Sequence, residues 1–469
     1  MRHLHDTILI IDLGGGLARI AVHKIRDEHV YCEVVSQNRF MKADDLITDT
    51  VRGIVIAGGR DETDAKQADL EGKQSYKALW TKLLSTDLPL FAIGAGAAQL
   101  VAQYASVEIP DLMAHSDDIP CIIYKTDVDT IETGLFDDQM TLKNFLYDIC
   151  GCSGDWTVDS YISEAIRQVR DVAGDKRVVC GLSGGVDSSV AAMLVHRAIG
   201  DRLTCIFVDH GFMRKGEPEM VRQMFAGEYK VPLISVDAVD RFLEKVGGVL
   251  EPETKRKIIG EEFIRIFEDE AKKLNASFLV QGTIYPDVIE SGEDGEVVKS
   301  HHNVGGLPDN MLFEGIIEPL RVLFKEEVRA VGRALGLPAS MVERQPFPGP
   351  GLSIRCLGGI TREKLDILRE ADAIFCEEIE SKGFRDRVSQ YFAVMTGLQS
   401  VGVTDGVRTY DYTIALRAVK TDDYMVAQPV EFPWSFLQHV SSRITTEVPN
   451  VSRVVYELTG KPPATIEWE

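Results

Sequence analysis

The sequence predicts an α/β protein: two parallel-sheet α/β domains followed by a small α+β domain. Three observations carry that prediction. Short apolar runs alternate with helical stretches over the first 150 residues, and the alternation restarts after the break Ser153-Gly154-Asp155. The stretch Gln345-Pro346-Phe347-Pro348-Gly349-Pro350-Gly351, too rich in Pro and Gly for helix or strand, then ends the second block as an ordered loop or hinge. The expected divisions are 1–150, 153–344 and 345–469, and about three domains is what 469 residues with 45% apolar content accommodate.

In the first domain Thr7-Ile8-Leu9-Ile10-Ile11, Gly53-Ile54-Val55-Ile56-Ala57 and Leu90-Phe91-Ala92-Ile93 read as strands of a parallel sheet, with Gly58-Gly59 closing the second. Trp156 to Val172 reads as an amphipathic helix leading into the strand Arg177-Val178-Val179-Cys180-Gly181-Leu182. A helical run, Val190-Ala191-Ala192-Met193-Leu194-Val195-His196, follows, and between strand and helix lie Ser183, Gly184, Gly185, Val186, Asp187, Ser188 and Ser189. Glycines let backbone approach an anion, hydroxyls add donors, and the free N–H groups and positive end of the helix face the same spot, so this loop suits phosphate. It lacks the G-x-x-x-x-G-K-S/T lysine, which weakens a kinase or GTPase reading. Leu203 to Asp209 and Ala276 to Thr283 are two further buried strands whose carboxyl ends carry polar residues, where ligands of open α/β sheets sit. The last block mixes a long helix, Arg362 to Lys382, with the β-like run Tyr410 to Leu416. No internal repeat or low-complexity tract interrupts the chain.

A formal net charge of −22 argues against a nucleic-acid-coating protein and favours small-molecule chemistry. No window approaches the roughly 18 apolar residues of a membrane span, and the amino-terminal residues lack the parts of a signal peptide, so a cytoplasmic location away from membranes is expected. Eight cysteines include no C-x-x-C pair; the close couple Cys150-Gly151-Cys152 reads as reduced thiols rather than metal ligands.

Taken together, Leu182 to Ser189, Phe207-Val208-Asp209-His210-Gly211, Gln281 to Ser291, Lys299 to Pro308 and Lys461 to Glu469, in this order, resemble the GMP synthase family of ATP pyrophosphatases. The resemblance implies conversion of XMP, ATP and ammonia to GMP, AMP and pyrophosphate through an adenyl-XMP intermediate. It makes 1–150 class I glutamine amidotransferase-like, 153–344 the ATP pyrophosphatase domain, and 345–469 the domain that binds XMP and pairs two chains into a homodimer. On this resemblance the loop Ser183 to Ser189, with Asp209 and Gly282, binds ATP, and Asp187 is the nearest carboxylate for Mg²⁺. Asp287 and Glu290 face the reacting phosphates, and Lys299, His301 and His302 belong to a lid that closes over them. Two adjacent histidines can also be a metal fragment, but no third ligand at helical spacing accompanies them. Arg453 and Lys461 hold the XMP phosphate, Gln390, Ile466 and Glu467 meet its ribose or base, and Arg256 reaches in from the middle domain.

The chain departs from this family in its first domain. Ala92-Ile93-Gly94-Ala95-Gly96 stands where a G-x-C-x-G elbow carries the amidotransferase nucleophile, and Gly94 takes the cysteine's place. The histidine and glutamate positions fall on Asp129 and Ile131, while His115 reads as a surface histidine and the stretch from Ala105 to Asp118 is short for such a domain. The expectation is a pseudo-glutaminase: glutamine fails as nitrogen donor, and ammonia comes free or from a separate glutaminase. Gln345 stands where the family commonly has histidine, which leaves XMP or a related nucleotide open. The alternatives are a catalytically silent nucleotide sensor and another ATP pyrophosphatase; the acidic balance opposes tRNA thiolation, and the run Lys461 to Glu469 opposes NAD synthetase.

Overall fold

The computed structural model describes residues 5–14, 16–43, 45–58, 73–94, 96–97, 100, 120–125, 130–135, 139–290, 313–404, 406–421 and 426–469. Among these, one compact unit runs to Ser163 and a second from Glu164 onward.

In the first unit, strands β1 (Thr7–Asp12), β2 (Tyr31–Ser36), β3 (Val51–Ala57), β4 (Leu90–Ile93), β5 (Pro120–Lys125) and β6 (Thr130–Leu135) form a sheet of order β2-β1-β3-β4-β5-β6. The first four run parallel, as the apolar runs predict, and Ile8, Leu9, Ile10 and Ile11 are all buried because helices cover both faces of such a sheet. The last two pairings are antiparallel, so the sheet is mixed at that edge. The reason for β5 and β6 is chain length: four residues separate them, enough for a hairpin and too few for a crossover helix. Helix α1 (Leu17–Asp27) buries Leu17, Ala18, Ala21, Val22 and Ile25, one stripe at helical spacing. On helix α2 (Lys73–Leu84), Leu79, Trp80 and Leu83 join Leu9, Ile11, Ile54, Ile56 and Leu90 in one core.

The second unit holds two sheets. Strands β7 (Val178–Leu182), β8 (Leu203–Asp209), β9 (Leu233–Asp237), β10 (Phe278–Val280) and β11 (Gly315–Ile317) are all parallel in the order β11-β10-β7-β8-β9. The expected strand from Ala276 to Thr283 contracts to β10, and Gln281 to Thr283 leave the ladder as a loop. Helix α3 (Val186–Ile199), after β7, buries ten of its fourteen residues. Helix α4 (Lys325–Ala334) packs against it closely enough that a Cβ on Gly332 would lie 3.0 Å from Val190 Cγ2.

The third sheet consists of β12 (Gln390–Thr404), β13 (Val407–Lys420), β14 (Gln428–Pro429) and β15 (Val451–Tyr456), backed by helices α5 (Arg362–Ser381) and α6 (Trp434–Glu447). β12 and β13 form a long antiparallel hairpin, and β15 runs parallel to β13. One apolar core links the second and third sheets, from Val179, Ile206 and Phe212 through Leu352 and Leu368 to Phe375, Met395 and Leu416. The Pro- and Gly-rich stretch is therefore pinned rather than swinging. Gly351 has φ +65° and backs directly onto the Phe212 carbonyl, where no Cβ fits, and the Leu352 amide donates to that same oxygen at 2.7 Å.

His210, just past β8, is buried among Phe212 and Phe242, and its Nδ1 accepts from the Phe212 amide at 3.0 Å. Burial pushes its pKa down from 6.5 to about 4. As pH falls, the unfolded imidazole takes up its proton first, so the stability tied to this residue is complete above 6.5 and is lost as pH falls through 4. The total is on the order of 3 kcal/mol. Replacing His210→Asn, which retains an acceptor for the Phe212 amide, should flatten the fall in denaturation midpoint across that interval; denaturant titrations of parent and variant at several pH values measure it, and parallel slopes would contradict it.

Candidate active site

At the carboxyl end of central strand β7 the chain turns through Ser183, Gly184 and Gly185 into α3. Gly184 adopts φ +76°, a left-handed conformation that favours glycine. The hydroxyls brace the turn: Ser183 Oγ lies 3.0 Å from Ser188 Oγ, Ser189 Oγ donates to the Gly185 carbonyl at 2.7 Å, and the Gly185 amide donates to Ser183 Oγ at 3.3 Å. The first N–H groups of α3 have no partner within their own helix, which is the usual make-up of an anion cradle. Val186 forms the buried start of the helix. From the neighbouring strand end, Gly282 presses on the same loop: a Cβ there would lie 3.1 Å from both Asp187 C and Ser188 N. Asp209 closes β8 on the other side, accepting from Arg222 Nη2 at 2.7 Å and from the Gly211 amide at 3.2 Å. The ends of β8, β7 and β10 thus gather Asp209, the loop and Gly282.

Asp187 stands in the first turn of α3, and Lys325 Nζ donates to both its oxygens at 2.8 and 2.7 Å. Arg344 donates through Nη1 to the Gly184 carbonyl and pairs through Nη2 with Glu217 at 2.5 Å. Asp287 Oδ2 accepts from the Ile284 amide at 3.0 Å and so caps the short helix from Tyr285 to Glu290. The side chain of Glu290 and all of Lys299, His301 and His302 lie outside the described residues. Among the described residues no group of three or more His, Cys, Asp and Glu is arranged for a metal ion. Asp187, one part-exposed carboxylate beside a phosphate cradle, nevertheless fits Mg²⁺, which commonly takes one or two carboxylates and completes its shell with phosphate oxygens and water.

A second constellation forms around the carboxyl-terminal run. Arg355 grips Glu467 with a two-pronged fork, Nε to Oε2 at 3.0 Å and Nη2 to Oε1 at 2.7 Å, and Gln390 Nε2 adds a third bond to Oε1 at 2.9 Å. Arg256 Nη2 donates to the main-chain oxygen of Glu469 at 2.5 Å. Ile466 is buried against Phe392, Val394, Ala415 and Ala427, and the Lys461 backbone bridges to Ala427. Arg256, Gln390, Ile466 and Glu467 are therefore joined through one segment. Arg453 is not joined to them by any described contact; it lies exposed on β15 and donates to Ser400 at 3.2 Å. Gln345 is buried, and its Oε1 accepts from the Tyr391 amide at 2.8 Å, one residue from Gln390. It also lines a cavity of about 440 Å³ shared with Arg214, Glu217, Arg344 and Asp372.

Lys325, Arg344 and Arg355 were not singled out by the sequence reading. Their charges become meaningful only once helix α4 and the Pro-rich loop are folded against the strand ends.

In the first unit, Gly94 follows β4 with φ +91°, and the Ala97 amide donates to the Gly58 carbonyl at 3.1 Å as the chain turns helical. This strand-to-helix turn has the left-handed backbone on which a nucleophile elbow depends. Cys32, Cys150 and Cys152 are buried, and burial pushes the Cys150 and Cys152 thiols up, Cys152 to about 12. Ile131 lies on β6 in register with Tyr124, and Cys121 on β5 in register with Ile93. Asp129 and His115 lie outside the described residues.

The parallel sheet with its hydroxyl- and glycine-lined loop has the make-up of an anion-binding α/β domain, and the family and relatives it matches make the chain an ATP-dependent amide-forming ligase. Residues 158–242 match the NAD synthase family, and residues 377–468 match the GMP synthase C terminal domain. Proteins named GMP synthase (glutamine-hydrolyzing) from Acetivibrio thermocellus, Ruminiclostridium cellulolyticum and Symbiobacterium thermophilum are each 45% identical to it. The alignments span 99%, 99% and 100% of this chain and the whole of each relative. The chain belongs to the GMP synthase family. The alignment with the Acetivibrio protein extends over 522 positions against 469 residues here, so that relative has segments without counterpart in this chain. The solved NH3-dependent NAD synthetase from Campylobacter jejuni aligns at 12% identity with a TM-score of 0.31, over 49% of this chain and 85% of its own, too weak a similarity to bear on the site.

Because the loop backbone has no room for a Cβ at 282, Gly282→Ala should displace Asp187 and Ser188 by a few tenths of an ångström and cut pyrophosphate release by roughly 10- to 100-fold. A coupled pyrophosphate assay checks this, with circular dichroism showing the fold retained; full activity would mean the loop yields freely.

Proposed function

We propose that this protein makes GMP from XMP, ATP and ammonia, and that its amino-terminal unit performs no glutamine hydrolysis. The observation that carries the first part is the phosphate loop with its Asp187–Lys325 pair, braced by Arg344 and packed against Gly282. The triphosphate lies against the loop N–H groups and the hydroxyls of Ser183 and Ser188, while Ser189, expected with them, is buried and braces the turn through the Gly185 carbonyl. Oxygen O2 of xanthine attacks the α-phosphorus, the bond to the β-phosphate oxygen breaks, and pyrophosphate leaves; ammonia then adds at C2, loses protons, and expels AMP. Asp187 would hold Mg²⁺ with the phosphate oxygens, the ion offsetting charge on the departing pyrophosphate. Lys325 supplies a cation at the same place. Asp287 and Glu290 face the phosphates, and Lys299, His301 and His302 close over them to keep water from the adenylate. Arg256, Gln390, Ile466 and Glu467 receive the nucleoside of XMP, while Arg453 and Lys461 take its phosphate.

The carboxyl-terminal domain, taken as 345–469 beside an ATP pyrophosphatase domain at 153–344, pairs two chains in this reading. Exposed apolar residues on its hairpin, Val401, Val403, Val407 and Tyr410, support that role. For the amino-terminal domain, 1–150, the supporting observation is glycine at the elbow. Gly94 offers no nucleophile, the positions of base and orienter are Asp129 and Ile131, and the buried Cys150 and Cys152 thiols are held protonated. Nitrogen therefore arrives as free ammonium or from a separate glutaminase.

Purified protein given ATP, XMP and Mg²⁺ should form AMP and GMP in equal amounts with ammonium chloride and none above background with glutamine alone. Asp187→Asn should lower the ammonium-dependent rate by roughly 10²-fold or more. Turnover from glutamine in the absence of ammonium would refute the pseudo-glutaminase reading, and ATP cleavage indifferent to XMP would refute the synthetase reading.

A further inference from the structure

The run from Glu457 to Glu469 contains no helix and no strand beyond one bridge at Lys461, so few backbone hydrogen bonds fix its path. Its position is set by charge. Lys255, on the helix Pro252–Leu274, is wholly buried and donates to Glu469 Oε2 at 2.5 Å and to the Cys356 carbonyl at 3.2 Å. Its neighbour Arg256 holds the main-chain oxygen of the same residue, and the Gly358 amide donates to Glu469 Oε1 at 3.2 Å. Arg355, also wholly buried, is stacked 3.9 Å over Phe392 while its fork holds Glu467. Arg417, the third fully buried cation, pairs with Glu457 at 3.0 Å and donates to the Thr465 carbonyl at 3.0 Å. Three elements distant in sequence thus each commit a desolvated cation to one irregular segment.

We infer that Lys255 and Arg355 are positioning residues for XMP: they fasten this segment so that Ile466, Glu467 and Arg256 form a pocket before the nucleotide arrives. The inference rests on the XMP reading above. A buried ammonium without its carboxylate, or the reverse, is costly, so neutralising one partner expels the other and the segment with it. Removing both charges together relieves that cost. The fork of Arg355 adds direction, because a planar guanidinium clamped by an aromatic ring and two hydrogen bonds fixes the plane of the Glu467 carboxylate.

The test compares the parent protein with Lys255→Met, Arg355→Lys and the double variant Lys255→Met/Glu469→Gln, by steady-state kinetics and by amide hydrogen exchange of residues 457–469. Lys255→Met should speed exchange in that segment by roughly tenfold or more and raise the KM for XMP by roughly 30-fold or more. The KM for ATP, and kcat at saturating XMP, should change by less than about threefold. Arg355→Lys, keeping charge without the fork, should raise the XMP KM as well, and the double variant should recover part of both losses. Unchanged exchange in Lys255→Met would overturn the anchoring role, whatever the substrate proves to be. Faster exchange with an unchanged XMP KM would overturn the positioning role, and a parallel rise in both KM values would reduce the pair to general stability. Failure of the parent to use XMP would instead remove the synthetase reading while the exchange data still judged the anchor.

Discussion

A loop of serine and glycine offers hydrogen-bond donors but no cation, and in this chain the charge is brought to it by Lys325. The ammonium meets both oxygens of Asp187, so the first turn of α3 and the first residue of α4 are tied beside the turn at Ser183 to Gly185. Lys325 and Asp187 are about a third exposed, at 33% and 31%, which makes their pair a weak contributor to stability, at most about 1 kcal/mol. Its value is positional. α3 is apolar almost all round, and α4 reaches it through the missing side chain of Gly332, so tight packing beneath the pair determines where the charge stands.

The charges of the carboxyl-terminal constellation obey a different balance. Lys255, Arg355 and Arg417 have no exposed surface, and breaking such a pair from one side costs roughly 3–5 kcal/mol where a surface pair costs almost nothing. The Pro-rich loop shares in this. Phe347 has Arg214, Arg344 and Arg355 around its ring at 4.6, 5.9 and 5.2 Å, and Arg344 and Arg355 reach on to Gly184 and Glu467. One aromatic side chain thus stands between the turn at Gly184 and the carboxyl-terminal constellation.

Much of this was legible in the sequence, and the parts that were not have physical reasons. The continuous apolar runs from Ile8 to Ile11 and from Cys205 to Val208 are buried strands and read as such, and the loop after Leu182 carries its glycine and hydroxyl pattern openly. Within the mixed edge of the first sheet, the antiparallel β5–β6 pair was missed because the periodicity of these two strands is the same whichever way they run, and only their short connection sets the direction. The strand at Ala276 shortened to β10: the Gln281 amide makes the last bond, to Ile317, and beyond it Gly282 turns to pack against Asp187 and Ser188. Lys255 was invisible for a simpler reason: within Lys255-Arg256-Lys257 at a helix start, nothing local marks which of three cations is to be buried. Arg453, placed with the nucleotide by resemblance, carries no described contact to the other residues of that group.

Gly94 has a consequence for how such a chain changes over generations. A cysteine held at φ +91° carries backbone strain of about 1–3 kcal/mol, a standing cost that selection tolerates only while the thiol is used. On the pseudo-glutaminase reading proposed above, glycine at that position removes the strain, so once another nitrogen supply suffices the substitution is favoured by stability alone. The way back has no such slope: a returning cysteine restores the strain at once, and its chemistry would return only with a base and an orienter also in place. On the reading proposed here the elbow acts as a ratchet, and a fold that stays intact around it is free to be selected for some other use.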